Sequence, residues 1–266
     1  MNKPLLHFSH GNSFPGGTYR QLLDGLRAEY DVHAHDMYGH DPRYPVGDGW
    51  HGLVEELIAQ LESYGRPAIL VGHSLGGMLS MMAARERPEL VRCVVMLDSP
   101  VVAGWRALLW RTAKLSSSLP TKLSPARLSE RRRTVWPDAP AVRQHFASKD
   151  IFAAWAPGVL DDYIEHGLMP HPDGVQLRFS RAVETDIYRS LPHHMGAVLR
   201  KPFPVPIGFI AGTDSVELRQ AGLGATRKLV GKNLTMIEGG HLFPMEKPQL
   251  TVEKTRQMIA RLLAQP

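Results

Sequence analysis

The stretch that decides the fold is Ile69–Gly77, which reads ILVGHSLGG. It begins with a short apolar run typical of a buried strand, and the residues from Leu75 onward predict a helix. Between the two lies a G-x-S-x-G motif with Ser74 at its centre. A serine on so tight a turn has a strained backbone, and the flanking glycines avoid side-chain clashes there. We interpret Ser74 as a nucleophile at a helix N-terminus, whose dipole favours a developing negative charge; the alternative is a structural turn that happens to hold a serine.

Short apolar runs alternate with helix-like segments on both sides of this motif. Such alternation is typical of a mostly parallel sheet covered by helices on both faces. We predict an α/β fold with a sheet of about six strands, at Leu5–Ser9, Asp31–Asp36, Ala68–Gly72, Val91–Leu97, Ile207–Ala211 and Leu234–Glu238. The predicted helices of this core are Thr18–Glu29, Asp48–Tyr64, Leu75–Arg87 and Gln249–Leu263.

The alternation stops between Ser99 and Phe203, a block that holds four of the five tryptophans. Helices are predicted there at Ala103–Ser117, Ala139–Ser148 and Phe152–His166, and a turn pair within residues 172–179 predicts a short hairpin. We therefore expect a core formed by residues 1–98 and 204–266, interrupted by a mainly helical cap at residues 99–203.

A serine nucleophile needs a base and an acid that orients the base. In a fold with this kind of turn the three follow in the order serine, acid, histidine. His241 lies on a glycine-rich loop between the last predicted strand and the final helix, from which it can reach the strand ends. Asp214 follows the preceding strand and is the predicted acid. Asp98, at the end of an earlier strand, and Glu217 are the alternatives.

Two backbone N–H groups are needed to hold the oxyanion of a tetrahedral intermediate. The first predicted donor is Leu75, the residue after the candidate nucleophile. The second lies in the loop that follows the first strand and carries the sequence HGN. We assign it to Asn12, with Ser13 as the alternative.

Taken together, these residues resemble the alpha/beta-hydrolase superfamily of serine hydrolases. The resemblance rests on five blocks and treats the insertion only as a cap of unspecified type; the blocks are Phe8–Phe14, Asp36–His40, Val71–Gly77, Gly212–Asp214 and Gly239–Pro248. It implies an alpha/beta-hydrolase fold with a Ser-His-Asp triad, carried onto Ser74, His241 and Asp214. It also implies eight strands, but the strand before the oxyanion loop already begins at Leu5, so we expect the usual first two to be absent.

The predicted substrate-binding residues are His73, beside the candidate nucleophile, and Trp105 and Trp155 of the insertion. Aromatic side chains under a cap favour an apolar acyl or alkyl group, although packing of the insertion onto the core would also explain the tryptophans. We expect a hydrolase that cleaves a small or medium, largely apolar carboxylic ester, or a related acyl bond, through an acyl-enzyme. The alternatives are a cofactor-free perhydrolase or acyltransferase, and a non-catalytic ligand-binding receptor on the same fold.

Composition narrows the class of protein further. The chain has 266 residues, with 13 histidines but a single cysteine, Cys93. One cysteine excludes an internal disulfide and any cysteine-rich zinc or iron–sulfur site. His33 and His35 lie on one side of a predicted strand and would suit two metal ligands, but a role within the strand explains them as well. We therefore expect neither a metal nor another cofactor.

Charge and hydropathy bear on the remaining classes of partner. The net charge is only +5, and we interpret the one dense basic run, Arg127–Arg133, as a solvent-exposed helix face. Nothing near Met1 reads as a signal peptide, and no stretch approaches the roughly 18 apolar residues of a membrane span. We expect a cytoplasmic protein with a small-molecule substrate, no nucleic-acid partner and no insertion into a membrane; the oligomeric state is left open.

Overall fold

Six short strands pair into one parallel sheet. The computed structural model describes residues 3–102, 126–192 and 195–265. The strands of this sheet are β1 (Leu5–Ser9), β2 (Asp31–Ala34), β3 (Ala68–His73), β4 (Val91–Leu97), β8 (Ile207–Gly212) and β9 (Leu234–Ile237). They lie in the order β2-β1-β3-β4-β8-β9, and every neighbouring pair is parallel. The prediction of a mostly parallel six-stranded sheet is confirmed.

Helices cover both faces of this sheet. The helices of the core are α1 (Arg20–Arg27), α2 (His51–Ser63), α3 (Leu75–Glu86), α9 (Val216–Ala221), α10 (Gly224–Val230), α11 (Phe243–Glu246) and α12 (Pro248–Leu263). Side chains alternate between the faces along each strand. Ile69 and Val71 of β3 therefore pack with α1 and α12, whereas Leu70 packs with α2 and α3. The result is two apolar layers with the sheet between them.

The insertion between β4 and β8 combines helices with a small second sheet. Its described elements are α4 (Ala126–Glu130), β5 (Val135–Trp136), α5 (Ala139–Ala147), α6 (Asp150–Ala153), α7 (Val159–Gly167), β6 (Leu168–His171), β7 (Gly174–Leu177) and α8 (Arg181–Arg189). The three strands are antiparallel in the order β5-β7-β6, and β6 and β7 form the predicted hairpin. The division into a core and a cap at residues 99–203 stays a prediction.

One predicted helix of the insertion differs in the structure, and another cannot be compared. The segment Phe152–His166 is two helices, α6 and α7, because Pro157 interrupts the helix and Gly158 follows with φ +87°. The helix predicted at Ala103–Ser117 lies outside the described residues. Among the helices of the described ranges, none is long and apolar enough to cross a membrane.

Candidate active site

Ser74 lies on the sharp turn that joins β3 to α3. Its backbone is strained, with φ 52° and ψ −115°, values that persist only where the surrounding structure enforces them. A Cβ on Gly72 would lie 2.4 Å from the carbonyl carbon of Gly76, and a Cβ on Gly76 would lie 2.0 Å from the carbonyl oxygen of Ser9. Backbone atoms cannot move aside as a side-chain tip can, so both positions require glycine.

Three side chains from three loops form one hydrogen-bonded chain. The hydroxyl oxygen of Ser74 lies 3.0 Å from Nε2 of His241, and Nδ1 of His241 lies 2.7 Å from Oδ2 of Asp98. A carboxylate only accepts hydrogen bonds, so Nδ1 carries the proton and Nε2 accepts from the Ser74 hydroxyl. This arrangement can activate a hydroxyl as a nucleophile.

Asp98 is fully buried at the end of β4, where its φ is 44°. Its Oδ1 accepts the backbone N–H of Gly212 at 2.9 Å, and its Oδ2 accepts the hydroxyl of Ser215 at 2.5 Å as well as His241. Three donors thus compensate the burial of one carboxylate. They also fix the orientation of the carboxylate toward His241.

The structure corrects the placement of the predicted acid, Asp214. Its side chain is exposed on the turn after β8, where Oδ2 accepts the hydroxyl of Thr213 at 3.2 Å. Its backbone N–H donates to the carbonyl of Gly239 at 2.9 Å. The strands β4 and β8 are adjacent and parallel, so both end at the same edge of the sheet. Asp98, one of the two alternatives, occupies the buried position beside His241 that Asp214 was predicted to take.

The pKa of His241 lies above its ordinary value of 6.5. Burial of the ring alone lowers the pKa, but the hydrogen bond to Asp98 and the negative charges of Glu217, Asp98 and Glu246 outweigh that effect. Glu217 is half exposed, and its Oε2 lies 3.9 Å from Nδ1. It therefore acts on the ring through its charge, while Asp98 holds the ring directly.

The two predicted oxyanion donors, Leu75 and Asn12, both belong to buried residues. Leu75 is the first residue of α3, and the first N–H groups of a helix have no acceptor within it. Asn12 lies in the turn after β1 and is 7% exposed. Ser13, the alternative donor, has φ 78° and donates its hydroxyl to Glu184 at 2.6 Å. The roles of Leu75 and Asn12 remain predictions.

Neighbouring side chains fix the peptide that carries the Asn12 N–H. The carbonyl of Gly11 accepts from Nδ1 of His10 at 2.8 Å and from the N–H of Phe14 at 3.2 Å. The N–H of Gly11 donates to the hydroxyl of Tyr19 at 3.0 Å. In a trans peptide the N–H points away from the carbonyl. The bonds to the Gly11 carbonyl therefore also set the direction of the Asn12 N–H.

A known protein family matches most of this chain. The model of the alpha/beta hydrolase family matches residues 6–254. The chain belongs to this family. The resemblance noted in the sequence is therefore confirmed, and the fold described above is the alpha/beta-hydrolase fold.

Several relatives of this chain carry names that describe their reactions. Lipase LipV of Mycobacterium tuberculosis is 32% identical over 173 residues, which cover 62% of this chain and 58% of LipV. Monoglyceride lipase of Homo sapiens is 32% identical over 112 residues, or 38% of this chain and 37% of that protein. The matched parts thus span less than two thirds of either lipase. A pimeloyl-[acyl-carrier protein] methyl ester esterase of Xanthomonas oryzae is 26% identical over 247 residues, covering 90% of this chain and 88% of the esterase.

A solved structure of E-2-(acetamidomethylene)succinate hydrolase superposes on this chain with a TM-score of 0.78. The superposition covers 97% of this chain and 92% of that protein, at 22% sequence identity. A likeness at this identity establishes a shared fold and leaves the reaction to be argued from the site.

His73 is not placed to contact a substrate, contrary to the prediction. Its ring is fully buried; Nε2 lies 2.9 Å from the carbonyl oxygen of His241, and Nδ1 lies 2.7 Å from the hydroxyl of Tyr19. Burial and the nearby His241 lower its pKa to about 3, so the ring is neutral. Nε2 then donates to the carbonyl, and Nδ1 accepts from Tyr19, whose oxygen accepts the Gly11 N–H. These bonds join the loop after β1, which carries Gly11 and Asn12, to the loop that carries His241.

The predicted substrate-binding tryptophans differ in what the structure shows. Trp155 is buried and stacks edge-on against Phe14 and Tyr163, with ring centroids 5.7 and 5.9 Å away. These contacts favour the alternative interpretation, in which Trp155 packs the insertion onto the core. Trp105 lies outside the described residues, so its contact with a substrate stays a prediction.

Asp98, Glu217 and His241 also form a group whose ligand atoms lie within 4.8 Å of one another. Each residue type binds metal ions in proteins. Here, however, the Asp98 oxygens already accept three hydrogen bonds, and a cation would displace the proton on Nδ1 of His241. The arrangement suits proton transfer better than metal binding, and the expectation that no metal takes part stays a prediction.

Proposed function

We propose that this hydrolase cleaves a carboxylic ester by nucleophilic attack of Ser74. The observation that carries the proposal is the chain of hydrogen bonds at 3.0 and 2.7 Å through His241 to Asp98, on a strained turn that presents the serine. As Ser74 Oγ attacks the ester carbonyl, Nε2 of His241 takes the hydroxyl proton, and Asp98 stabilises the imidazolium that forms. The N–H groups of Leu75 and Asn12 donate to the oxyanion.

The second half of the reaction uses the same groups. The protonated His241 gives its proton to the leaving alcohol oxygen as the carbon–oxygen bond breaks, which leaves an acyl group on Ser74. Nε2 then takes a proton from water, whose oxygen attacks the acyl carbon. Collapse of the second tetrahedral intermediate returns the proton to Ser74 Oγ and releases the carboxylic acid.

We propose a small or medium, largely apolar ester as substrate, with residues 99–203 as a cap over the site. The names of the relatives support an ester, since they are two lipases and a methyl ester esterase. The aromatic cluster of the insertion, which reaches Phe14 of the oxyanion loop through Trp155 and Tyr163, supports an apolar surrounding.

Labelling with a fluorophosphonate, followed by a panel of nitrophenyl esters of increasing acyl length, tests the proposal. We expect Ser74 to be labelled and Ser74→Ala to lose about a thousandfold or more in kcat. Ser63→Ala is the matched control, because Ser63 is exposed and its hydroxyl donates to the carbonyl of Gln60 within α2. Undiminished turnover by a folded Ser74→Ala protein would contradict the proposal.

Two other outcomes separate the alternatives. Labelling of Ser74 together with faster transfer of the acyl group to peroxide or an alcohol than to water identifies a perhydrolase or acyltransferase. Tight binding of a ligand without labelling and without turnover identifies a receptor.

A further inference from the structure

Glu184 of α8 connects the insertion to the oxyanion loop by hydrogen bonds. Its backbone carbonyl accepts Nδ2 of Asn12 at 3.1 Å, and its Oε1 accepts the hydroxyl of Ser13 at 2.6 Å. All three residues are buried. Glu184 therefore contacts two consecutive residues of the loop that carries the proposed oxyanion donor. It lies 171 positions after Ser13 in the sequence.

Arg132 in turn holds the carboxylate of Glu184. Its Nη1 lies 3.1 and 3.0 Å from the two carboxylate oxygens, and its Nη2 donates to the hydroxyl of Tyr163 at 2.7 Å. Only 16% of the Arg132 side chain is exposed. Burial of a guanidinium is costly unless it is paired and hydrogen-bonded, so the position of Arg132 depends on its partners.

This burial revises the interpretation of the basic run Arg127–Arg133. Arg127, Arg131 and Arg133 are exposed, as expected of a solvated surface. Arg132 is the member of the run that turns inward. Within this run, Arg132 therefore has a structural role, because it binds the Glu184 carboxylate beside the site.

The oxyanion loop is strained where Glu184 holds it. Ser13 has φ 78°, a left-handed conformation that costs a residue other than glycine free energy unless contacts enforce it. The hydrogen bond from the Ser13 hydroxyl to Glu184 is such a contact. Loss of the carboxylate would allow Ser13 to relax and would turn the adjoining peptide of Asn12.

We infer that Glu184 and Arg132 are a positioning pair, by which the insertion holds the Asn12 N–H toward the oxyanion. The inference rests on the proposed acyl transfer and adds to it a task for the cap: stabilisation of the transition state. A cap that only shields the substrate would change KM, whereas a misplaced oxyanion donor lowers kcat.

Glu184→Gln tests the pair kinetically, because it removes the charge and keeps the backbone carbonyl and the side-chain shape. We expect kcat to fall about tenfold to a hundredfold with KM within about twofold of wild type. Affinity for an alkylboronic acid, which forms a tetrahedral adduct on Ser74, should fall by the same factor. The matched control is Glu130→Gln, which breaks the ion pair that joins α4 to Arg189 at the other end of α8.

Equal losses of kcat in Glu184→Gln and Glu130→Gln would overturn the inference, as would a rise in KM alone or an unchanged boronate affinity. If Glu184→Gln does not fold, Ser13→Ala removes the Ser13 hydroxyl, which contacts Glu184 and Tyr188 of α8. That variant should show the same fall in kcat and in boronate affinity, and wild-type values for both would overturn the inference equally.

Amide hydrogen exchange of residues 11–14, measured by mass spectrometry on the free protein, keeps this inference separate from the proposed function. Exchange should be about tenfold faster in Glu184→Gln, or in Ser13→Ala, than in wild type, and unchanged in Glu130→Gln. Unchanged exchange in the first two variants would overturn the positioning pair. An active-site failure of the wild type, with no labelling and no ester turnover, would instead overturn the proposed acyl transfer.

Discussion

Asp98 shows how much one buried carboxylate depends on its place in the sheet. It directly follows β4, beside the strand that presents Ser74, and it accepts hydrogen bonds from three donors while fully buried. Asp214 ends the turn after the neighbouring strand and faces solvent. Substituting each aspartate in turn therefore tests which carboxylate orients His241.

Asp98→Asn should lower kcat/KM by about a thousandfold or more, because an amide can donate to Nδ1 and so stabilise the wrong tautomer of His241. Asp214→Asn should leave kcat/KM within about twofold of wild type, since its carboxylate contacts only Thr213 in the described structure. Hydrolysis of a nitrophenyl ester by both variants measures this. A large loss in Asp214→Asn with a small one in Asp98→Asn would return Asp214 to the role of the acid.

The pH dependence of the reaction follows from the raised pKa of His241. A protonated ring cannot take the Ser74 proton, so kcat/KM should rise with pH through an inflection above 6.5. Glu217→Gln should move the inflection to lower pH, because the charge of Glu217 helps to raise the pKa. The shift should shrink at high salt, since Glu217 is half exposed.

Profiles of kcat/KM between pH 5 and pH 9 for the wild type and Glu217→Gln measure this prediction. Glu253→Gln, which removes an exposed carboxylate on α12 outside the group around His241, is a suitable control. A wild-type inflection at or below 6.5, or equal shifts in both variants, would contradict the account of the charges around His241.

The sequence predicted Ser74 and His241 as neighbours, because the G-x-S-x-G motif identifies Ser74 and the glycine-rich loop before the final helix identifies His241. Nothing in the sequence distinguishes which of two aspartates is nearer to His241 when both follow adjacent parallel strands. The roles of Tyr19 and Glu184 were also beyond reach, since each contacts the site through a fold contact that carries no local signal. Burial of Arg132 is a further example, because Arg131 and Arg133 on either side of it are exposed.

At the scale of elements, the pattern of apolar residues was enough to predict the strands and helices that form the core. The four inner strands of the main sheet, β1, β3, β4 and β8, match because almost every residue in them is buried, as expected of strands in a covered parallel sheet. The edge strands β2 and β9 are only partly buried. The break between α6 and α7 was signalled by Pro157 and Gly158 but not predicted. The small sheet of the insertion was predicted only in part, because β5 has two residues and no pattern of its own.

The turn between β3 and α3 depends on the backbone space around it. Gly76→Ala should abolish activity and destabilise the fold, because the new Cβ would lie 2.0 Å from the Ser9 carbonyl oxygen at the start of the oxyanion loop. Overpacking of this kind typically costs about 1–3 kcal/mol or more. Gly224→Ala is the matched control: it lies at the start of α10, a Cβ added there would meet no atom within 4 Å, and alanine favours a helix.

Urea unfolding and fluorophosphonate labelling of both glycine variants test this prediction. We expect Gly224→Ala to unfold at the same or a slightly higher urea concentration than wild type and to label normally. Normal labelling and stability in Gly76→Ala would show that the turn can be built without glycine.

At the scale of the whole molecule, buried histidines explain part of the histidine excess that the composition left open. His7, His10 and His73 are fully buried, and each has its pKa lowered to about 3, with burial as the largest cause. Burial keeps each ring neutral, and His7 meets the hydroxyls of Tyr38 and Tyr64 while His10 accepts the N–H of Tyr38. The fold therefore excludes three protons that the unfolded chain would bind in mild acid.

This difference in proton binding predicts that the free energy of unfolding falls as the pH falls below 6.5. Between pH 6.5 and about 3 the unfolded chain protonates His7, His10 and His73, whereas the folded protein does not. Each group then removes up to about 1.4 kcal/mol of stability per pH unit. His35 and His241 have raised pKa values, so both are protonated in either state below 6.5 and lose their contribution only as the pH rises above it.

The two groups of histidines thus act in separate windows, and stability should be greatest near pH 6.5 and fall more steeply on the acid side. Urea unfolding at pH 8, 7, 6 and 5 measures this, provided that the dependence of the free energy on urea stays constant between the conditions. His7→Asn should make the acid slope shallower by about one proton, whatever its effect on stability at neutral pH. The prediction would be wrong if this substitution left the slope unchanged, or if stability did not depend on pH between 6.5 and 5. Either result would mean that these rings are protonated in the folded protein. Their hydrogen bonds to the tyrosines would then be arranged differently.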